Sequence, residues 1–280
     1  MTRAVPPIGI FDSGVGGLSV LRAVRARLPH QPLIYLADQA RVPYGSRPLE
    51  EVQHFSECIT RTLLAQGAGS IVVACNTASA AALQHLRRTF PAIPFIGMEP
   101  AIKPAAETTQ SGVVGVLATP ATFQGALYAS VVERFAQGVT LLQDTCPGLV
   151  NAIEAGQLHS PATRAILEGA LLPMLQKKID TVVLGCTHYP FVIPLIEEIV
   201  GPSVRVIDPA PAVARQVERV LQQHNQIATE GNPPPLLMTS GSAPALQALL
   251  PILLGSTDPV QSITIEMDDS GCAHAAPHIR

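Results

Sequence analysis

The chain has 280 residues, of which 47% are hydrophobic and 14% charged, and its formal net charge is −3. A chain of this length and apolar content buries a sizeable core, as one large domain or two ordinary ones. The sparse charge, with no basic run longer than Arg87-Arg88 or Lys177-Lys178, excludes nucleic acid as the main partner, because phosphate binding needs a concentrated basic footprint.

The first apolar run, Ile8 to Phe11, begins too close to Met1 to leave room for a secretory leader, and no apolar stretch reaches the length of a membrane span. A cytoplasmic protein with no membrane partner is the expectation. The run opens into Asp12-Ser13-Gly14-Val15-Gly16-Gly17, ahead of a helix whose apolar positions Leu18, Leu21, Val24 and Leu28 share one face. Backbone N–H groups in such a turn favour an anion. Ser19 stands where the dinucleotide fingerprint needs its third glycine, and no Gly-Lys-Ser/Thr follows. The turn therefore reads equally as an anion site or as a helix start capped by Asp12 or Ser13.

The second strand, Leu33 to Ala37, leads into Asp38 through Arg41 to Pro43-Tyr44-Gly45-Ser46, a stretch rich in turn residues and donors. The third, Ile71 to Ala74, ends at Cys75-Asn76-Thr77, and Phe95 to Gly97 follows. A second set then runs Val113 to Leu117, Val139 to Leu142, Thr181 to Leu184 and Val204 to Ile207, and its third member ends in Gly185-Cys186-Thr187-His188. Strands alternating with amphipathic stretches predict a parallel α/β sheet in each set, as in a duplicated architecture. Residues 1–98 with 209–280 are expected to form one α/β lobe, carrying Asp12, Ser13 and Cys75. Residues 99–208 form the other, carrying Cys186 and His188, with the active site between them. The segment after Asp208, with a strand at Leu236 to Thr239 and a helix from Ala243, returns to the first lobe, and Asp268 to Arg280 is expected to fray.

The five cysteines are widely spaced and include no C-x-x-C pair, which argues against zinc or a redox dithiol and for reduced thiols. Cys75 and Cys186 stand apart because each lies at a strand exit, where parallel sheets bind ligands. Asp12 beside the first thiol and His188 beside the second are candidates to assist proton movement. The three lysines, Lys103, Lys177 and Lys178, are not at strand-exit loops, which disfavours a pyridoxal Schiff base.

Ile10 to Val20, Asp38 to Ser46, Ala74-Cys75-Asn76-Thr77-Ala78-Ser79 and Gly185-Cys186-Thr187-His188-Tyr189-Pro190, in this order and spacing, resemble the glutamate racemases. The resemblance covers nearly the whole chain. It implies two lobes of aspartate/glutamate racemase type and cofactor-independent interconversion of L- and D-glutamate for peptidoglycan synthesis. It implies that Cys75 acts on the D-enantiomer and Cys186 on the L-enantiomer, assisted by Asp12 and His188. The implied binding residues are Asp12, Ser13, Pro43, Tyr44, Gly45, Ser46, Asn76, Thr77, Thr187 and His188. Thr119 and Thr122 match a less regular Gly-Thr-x-x-Thr stretch, and the segment after Cys146-Pro147 resembles one that brings a carboxylate, here Glu154, toward the second thiol. Alternatives within the superfamily are aspartate or hydantoin as substrate, and some family members also restrain DNA gyrase, an activity nothing in this chain encodes. No cofactor and no metal are expected, and the oligomeric state, a homodimer included, stays open.

Overall fold

The computed structural model describes residues 5–265; Cys272 and the tail from Asp268 lie outside the described residues. One sheet is built from β1 (Ile8–Asp12), α1 (Leu18–Arg27), β2 (Leu33–Ala37), α2 (Leu49–Ala65), β3 (Ser70–Val73), α3 (Asn76–Thr89) and β4 (Phe95–Gly97). The second follows with α4 (Ile102–Thr108), β5 (Val113–Ala118), α5 (Pro120–Gln124), α6 (Ala126–Phe135), β6 (Thr140–Asp144), α7 (Leu149–Glu154), α8 (Pro161–Gln176), β7 (Thr181–Gly185), α9 (Ile193–Val200) and β8 (Arg205–Ile207). The chain then adds α10 (Ala210–Gln223), β9 (Leu236–Thr239), α11 (Ala243–Leu253) and β10 (Val260–Ser262), whose strands pair onto β2 and onto each other in the first sheet.

All described strand pairs are parallel, in the orders β10-β9-β2-β1-β3-β4 and β6-β5-β7-β8. The central order 2-1-3-4 of the first sheet is thus repeated in the second, so β3 and β7 occupy equivalent positions. Cys75 follows β3 and Cys186 follows β7. The duplicated architecture, illegible in residue identity, is written in the topology.

Strands β1, β2, β3 and β7 are buried along their full length. Covered on both faces by helices, they are read in the sequence as unbroken apolar runs rather than alternating ones. The amphipathic face foreseen for α1 packs Leu18, Leu21 and Val24 inward against α10, which presents Val213, Ala214, Val217 and Leu221 at helical spacing. A single apolar cluster containing Ile10, Tyr35, Leu117, Leu184 and Tyr189 runs through both sheets. Cys75, Cys146 and Cys186 are free and buried, as expected of reduced thiols.

Asp180, just before β7, ties the entry of β5 in place. Its carboxylate accepts from Gln110 N (2.6 Å), Ser111 N (2.7 Å), Thr109 Oγ1 (2.7 Å) and Thr181 Oγ1 (3.0 Å). Desolvation is the largest single influence and opposes the charge, but the four donors together outweigh it and pull its pKa down to about 2. A depressed carboxylate pKa stabilises the fold above the unfolded value near 4, and this contribution is lost as pH falls toward about 2. Asp180→Asn is expected to cost about 1 kcal/mol at neutral pH, discounted for solvent exposure. It should also flatten the loss of stability between about pH 4 and 2. Urea unfolding across that range checks this; superimposable acid profiles of the two proteins would contradict it.

Candidate active site

The strand order of the first sheet reverses across β1, and in open parallel sheets the crevice at such a point, beyond the carboxyl ends of the strands, is where ligands bind. Asp12 ends β1 there, and Cys75 sits two residues past the end of β3, at the N-cap of α3. The two cysteines, 5% and 6% exposed, line one cavity together with Ser13, Pro43, Tyr44, Gly45, Asn76, Thr77, Thr119, Thr187 and His188. Both sheets contribute. The cavity holds only about 20 Å³, little more than a single water needs.

Around the first thiol, Cys75 Sγ lies 4.0 Å from Ser13 Oγ and accepts from Ala78 N at 3.5 Å. Asp12 lies behind the cavity wall rather than in it, fully buried. Its Oδ2 accepts from Gly17 N (2.9 Å) and Gly14 N (3.3 Å), so it fills the capping role at the start of α1 without being the N-cap residue, which is Gly17. Its Oδ1 faces Thr187 Oγ1 at 3.5 Å. Burial pushes the Asp12 carboxyl above its ordinary range, although His188 and the Gly17 N–H pull the other way. Burial, and then the charge of Asp12, push the Cys75 thiol well above its ordinary range, against the pull of the Ala78 N–H. Cys75 therefore rests as a thiol.

Around the second thiol the charges differ. Cys186 Sγ is 3.7 Å from His188 Nδ1, His188 Nε2 is 2.7 Å from Glu154 Oε1, and that oxygen also accepts from Val15 N at 2.7 Å. Gln39 Nε2 donates to Glu154 Oε2 at 3.1 Å. Burial opposes the imidazolium, but the bonds to Cys186 and Glu154 and the negative charge of Asp12 overcome it and hold His188 well above the ordinary range of a histidine. Glu154 is likewise opposed by burial, yet His188, Val15 and Gln39 hold its carboxyl below the ordinary range. The result is a buried imidazolium–carboxylate pair behind Cys186.

This pair explains the glycine turn. A Cβ on Gly14 would fall 1.9 Å from Glu154 Oε1, and one on Gly16 would fall 2.4 Å from His188 Nδ1. The turn does hold an anion on a backbone N–H. That anion is the chain's own Glu154 carboxylate, delivered from the other sheet.

The remaining candidates divide by position. Thr77 Oγ1 and Thr119 Oγ1 meet at 2.9 Å, and Thr122 stands behind Thr119 at 3.0 Å, outside the cavity lining. Gly45 packs against Thr119, where a Cβ would meet the threonine Cβ at 2.7 Å. Ser46 is exposed and lines a neighbouring cleft beside Cys146, Asn151 and Tyr189 instead. The Tyr44 hydroxyl is already spent on Asp38 Oδ2 (2.5 Å), while Asp38 Oδ1 accepts from Arg41 (2.7 Å) and Ser240 (2.6 Å). Asp38 and Gln39, not singled out from sequence, thus shape the site from behind. No lysine lines the thiol cavity. Among the described residues, no group of three His, Cys, Asp or Glu side chains is placed to hold a metal ion.

Asn76 is the exception to an otherwise satisfied wall. Its Oδ1 and Nδ2 are both buried without a hydrogen-bond partner, in a residue that lines the cavity. A primary amide buried in this way costs free energy unless something binds it, which marks the cavity as a place for a polar ligand.

Comparison with known proteins accords with this geometry. Residues 18–217 match the Asp/Glu/Hydantoin racemase family. A glutamate racemase of Ectopseudomonas mendocina is 51% identical over 91% of this chain and 97% of its own length. Two solved structures superpose closely. One is the Escherichia coli glutamate racemase in complex with L-glutamate and an activator (TM-score 0.83, 30% identity, covering 94% of this chain and 100% of that one). The other is the Francisella tularensis glutamate racemase in complex with D-glutamate (TM-score 0.80, 28% identity, 94% and 98%). The chain belongs to the Asp/Glu/Hydantoin racemase family, among its glutamate racemases.

Proposed function

We propose that this chain interconverts L- and D-glutamate by two-thiol acid/base catalysis without a cofactor. The observation that carries the reading is the pair of free, buried cysteines at equivalent strand ends, one from each sheet, lining one cavity. One sulfur takes the α-proton as a thiolate, the C–H electron pair passes to the α-carbon and its carboxylate, and the other sulfur, as a thiol, returns a proton to the opposite face. Cys75 is assigned to the D-enantiomer and Cys186 to the L-enantiomer, as the family resemblance implies. Asp12 serves the first thiol, and His188 with Glu154 the second.

A carbanion without pyridoxal is stabilised only by preorganised donors in a water-excluded site. Ser13, Gly45, Asn76 and Thr187 line the cavity, their backbone N–H groups are assigned that work, and the unpartnered Asn76 amide supplies a donor and an acceptor. A cavity of about 20 Å³ admits no glutamate. The two lobes, residues 1–98 with 209–280 and residues 99–208, therefore part to load substrate and close for reaction. The L- and D-glutamate complexes of the two relatives favour glutamate over aspartate or a hydantoin. Among the described residues no helix is long and apolar enough to cross a membrane. A cytoplasmic supply of D-glutamate for peptidoglycan fits the reading.

The test is circular dichroism of the purified protein with L- or D-glutamate and no additive, beside aspartate. Decay of both glutamate signals to zero is expected, and no decay from either enantiomer would overturn the proposal. Asn76→Ala should raise KM by about tenfold or more, because a buried donor and acceptor lose their ligand, while leaving the thiols in place. Steady-state kinetics in both directions checks this; an unchanged KM would remove Asn76 from the binding set.

A further inference from the structure

The hydrogen bonds behind His188 do not stop at Glu154. Gly241 N donates to Thr239 Oγ1 (3.0 Å), Thr239 Oγ1 donates to Gln39 Oε1 (3.0 Å), and Gln39 Nε2 donates to Glu154 Oε2 (3.1 Å). The order of donors is self-consistent. Because the ionised Glu154 carboxylate can only accept, the Gln39 amide is fixed with its NH₂ toward it, and its carbonyl oxygen is left to accept from the Thr239 hydroxyl. Thr239 is fully buried at the end of β9, and Gly241 packs so closely that a Cβ there would meet Gln39 Cβ at 2.9 Å. The Gln39 side chain is therefore held from two sides before it touches Glu154.

We propose that Gln39 is a positioning residue for the second thiol: it fixes the Glu154 carboxylate, which orients His188 against Cys186. The inference rests on the two-thiol reading given above. Glu154 and His188 belong to the segment that builds the second sheet, whereas Gln39, Thr239 and Val15 belong to the first. Of the three hydrogen bonds on the Glu154 carboxylate, two come from across the cleft, from Val15 N and Gln39 Nε2. When the lobes part to admit substrate, those two bonds break and the carboxylate loses its fixed orientation. Closure restores them, so the proton-handling group behind Cys186 is assembled only around a loaded site. Supporting shells of this kind, although they touch no substrate, commonly carry one to two orders of magnitude of activity.

The expected pH behaviour follows from the groups that face His188: Glu154 from α7, Asp12 from the end of β1 and Cys186 from the end of β7. Removing the Gln39 donor frees Glu154 Oε2, and the carboxylate turns from His188 Nε2. The imidazolium then loses support, and activity that depends on it fails at lower pH.

The experiment uses the full chain with Gln39→Leu and, separately, Thr239→Val, measured with both enantiomers across pH and by thermal unfolding. Gln39→Leu is expected to lower kcat/KM about tenfold and to move the alkaline limb down by about half a pH unit or more. The two directions must fall equally, since the enantiomers are equally stable. Thr239→Val, which leaves the amide present but unfixed, should shift the same limb in the same sense by less. A loss of activity with the limb unmoved would reduce Gln39 to packing and overturn the proposal, as would wild-type kinetics in Gln39→Leu. Either result, obtained beside an active wild-type protein, leaves the racemase reading standing; an inactive wild type would instead refute that reading.

Discussion

Cys75→Ser and Cys186→Ser are each expected to lower racemisation by about 10³-fold or more while leaving the fold intact. A serine hydroxyl keeps the shape of the thiol, is slightly smaller and is far less acidic, and a positioned acid/base group contributes up to about 10⁴ in rate. Both side chains belong to apolar clusters but also face the cavity, and the exchange deletes no carbon atom, so thermal stability should move by no more than about 1 kcal/mol. Because the equilibrium lies midway between enantiomers, loss of either thiol must reduce kcat/KM equally in both directions, and steady-state rates alone do not reveal which thiol serves which face. Exchange in deuterium oxide does. Cys75→Ser should still exchange the α-proton of L-glutamate through Cys186 but leave D-glutamate unlabelled, and Cys186→Ser should show the reverse. In the wild type, product formed early should carry deuterium while remaining substrate does not. Exchange of both enantiomers in either single variant would eliminate the two-base assignment.

Gly14→Ala should be the most damaging change outside the thiols, with activity reduced about 10²-fold and stability by only about 1–3 kcal/mol. The added methyl would lie 1.9 Å from Glu154 Oε1, and the carboxylate, being the end of a flexible side chain, can swing away at small conformational cost. Swinging away, however, breaks its bonds to Val15 N, His188 and Gln39 together. Gly16→Ala acts on the same unit through the ring, where the methyl would be 2.4 Å from His188 Nδ1, and a buried imidazole has less room to yield. Measured rates and melting temperatures for the two variants decide the matter. Activity within a few-fold of wild type in both would show that the turn is needed for its backbone shape alone.

Both predictions concern atoms from two sheets meeting at one point, which is where reading along the chain loses its force. The runs at Ile8, Leu33 and Thr181 were legible as buried parallel strands because they are short, mostly apolar and free of proline. Cys75 and Cys186 were legible as strand-exit residues for the same reason. The 4-residue β9 was foreseen at Leu236 to Thr239, but the edge strand β10, Val260 to Ser262, was not, since three partly exposed residues give no periodicity to read. Ser46 and Thr122, placed in the binding set by motif resemblance, lie outside the cavity lining, because a motif gives residue order but not the direction of a side chain.

The sequence by itself determined the parallel α/β class, the two thiols and their polar neighbours, because these depend on local apolar runs and on residues within a few positions of a strand end. Only the tertiary structure decided how the thiols differ. Asp12 behind Cys75, and His188, Glu154 and Gln39 behind Cys186, are drawn from distant segments: Asp12 and Thr187, the neighbour of His188, meet at 3.5 Å across 175 residues of sequence. Protonation at a buried site is set by burial and by charges within hydrogen-bonding distance, and those distances come into being only when the two sheets close on each other.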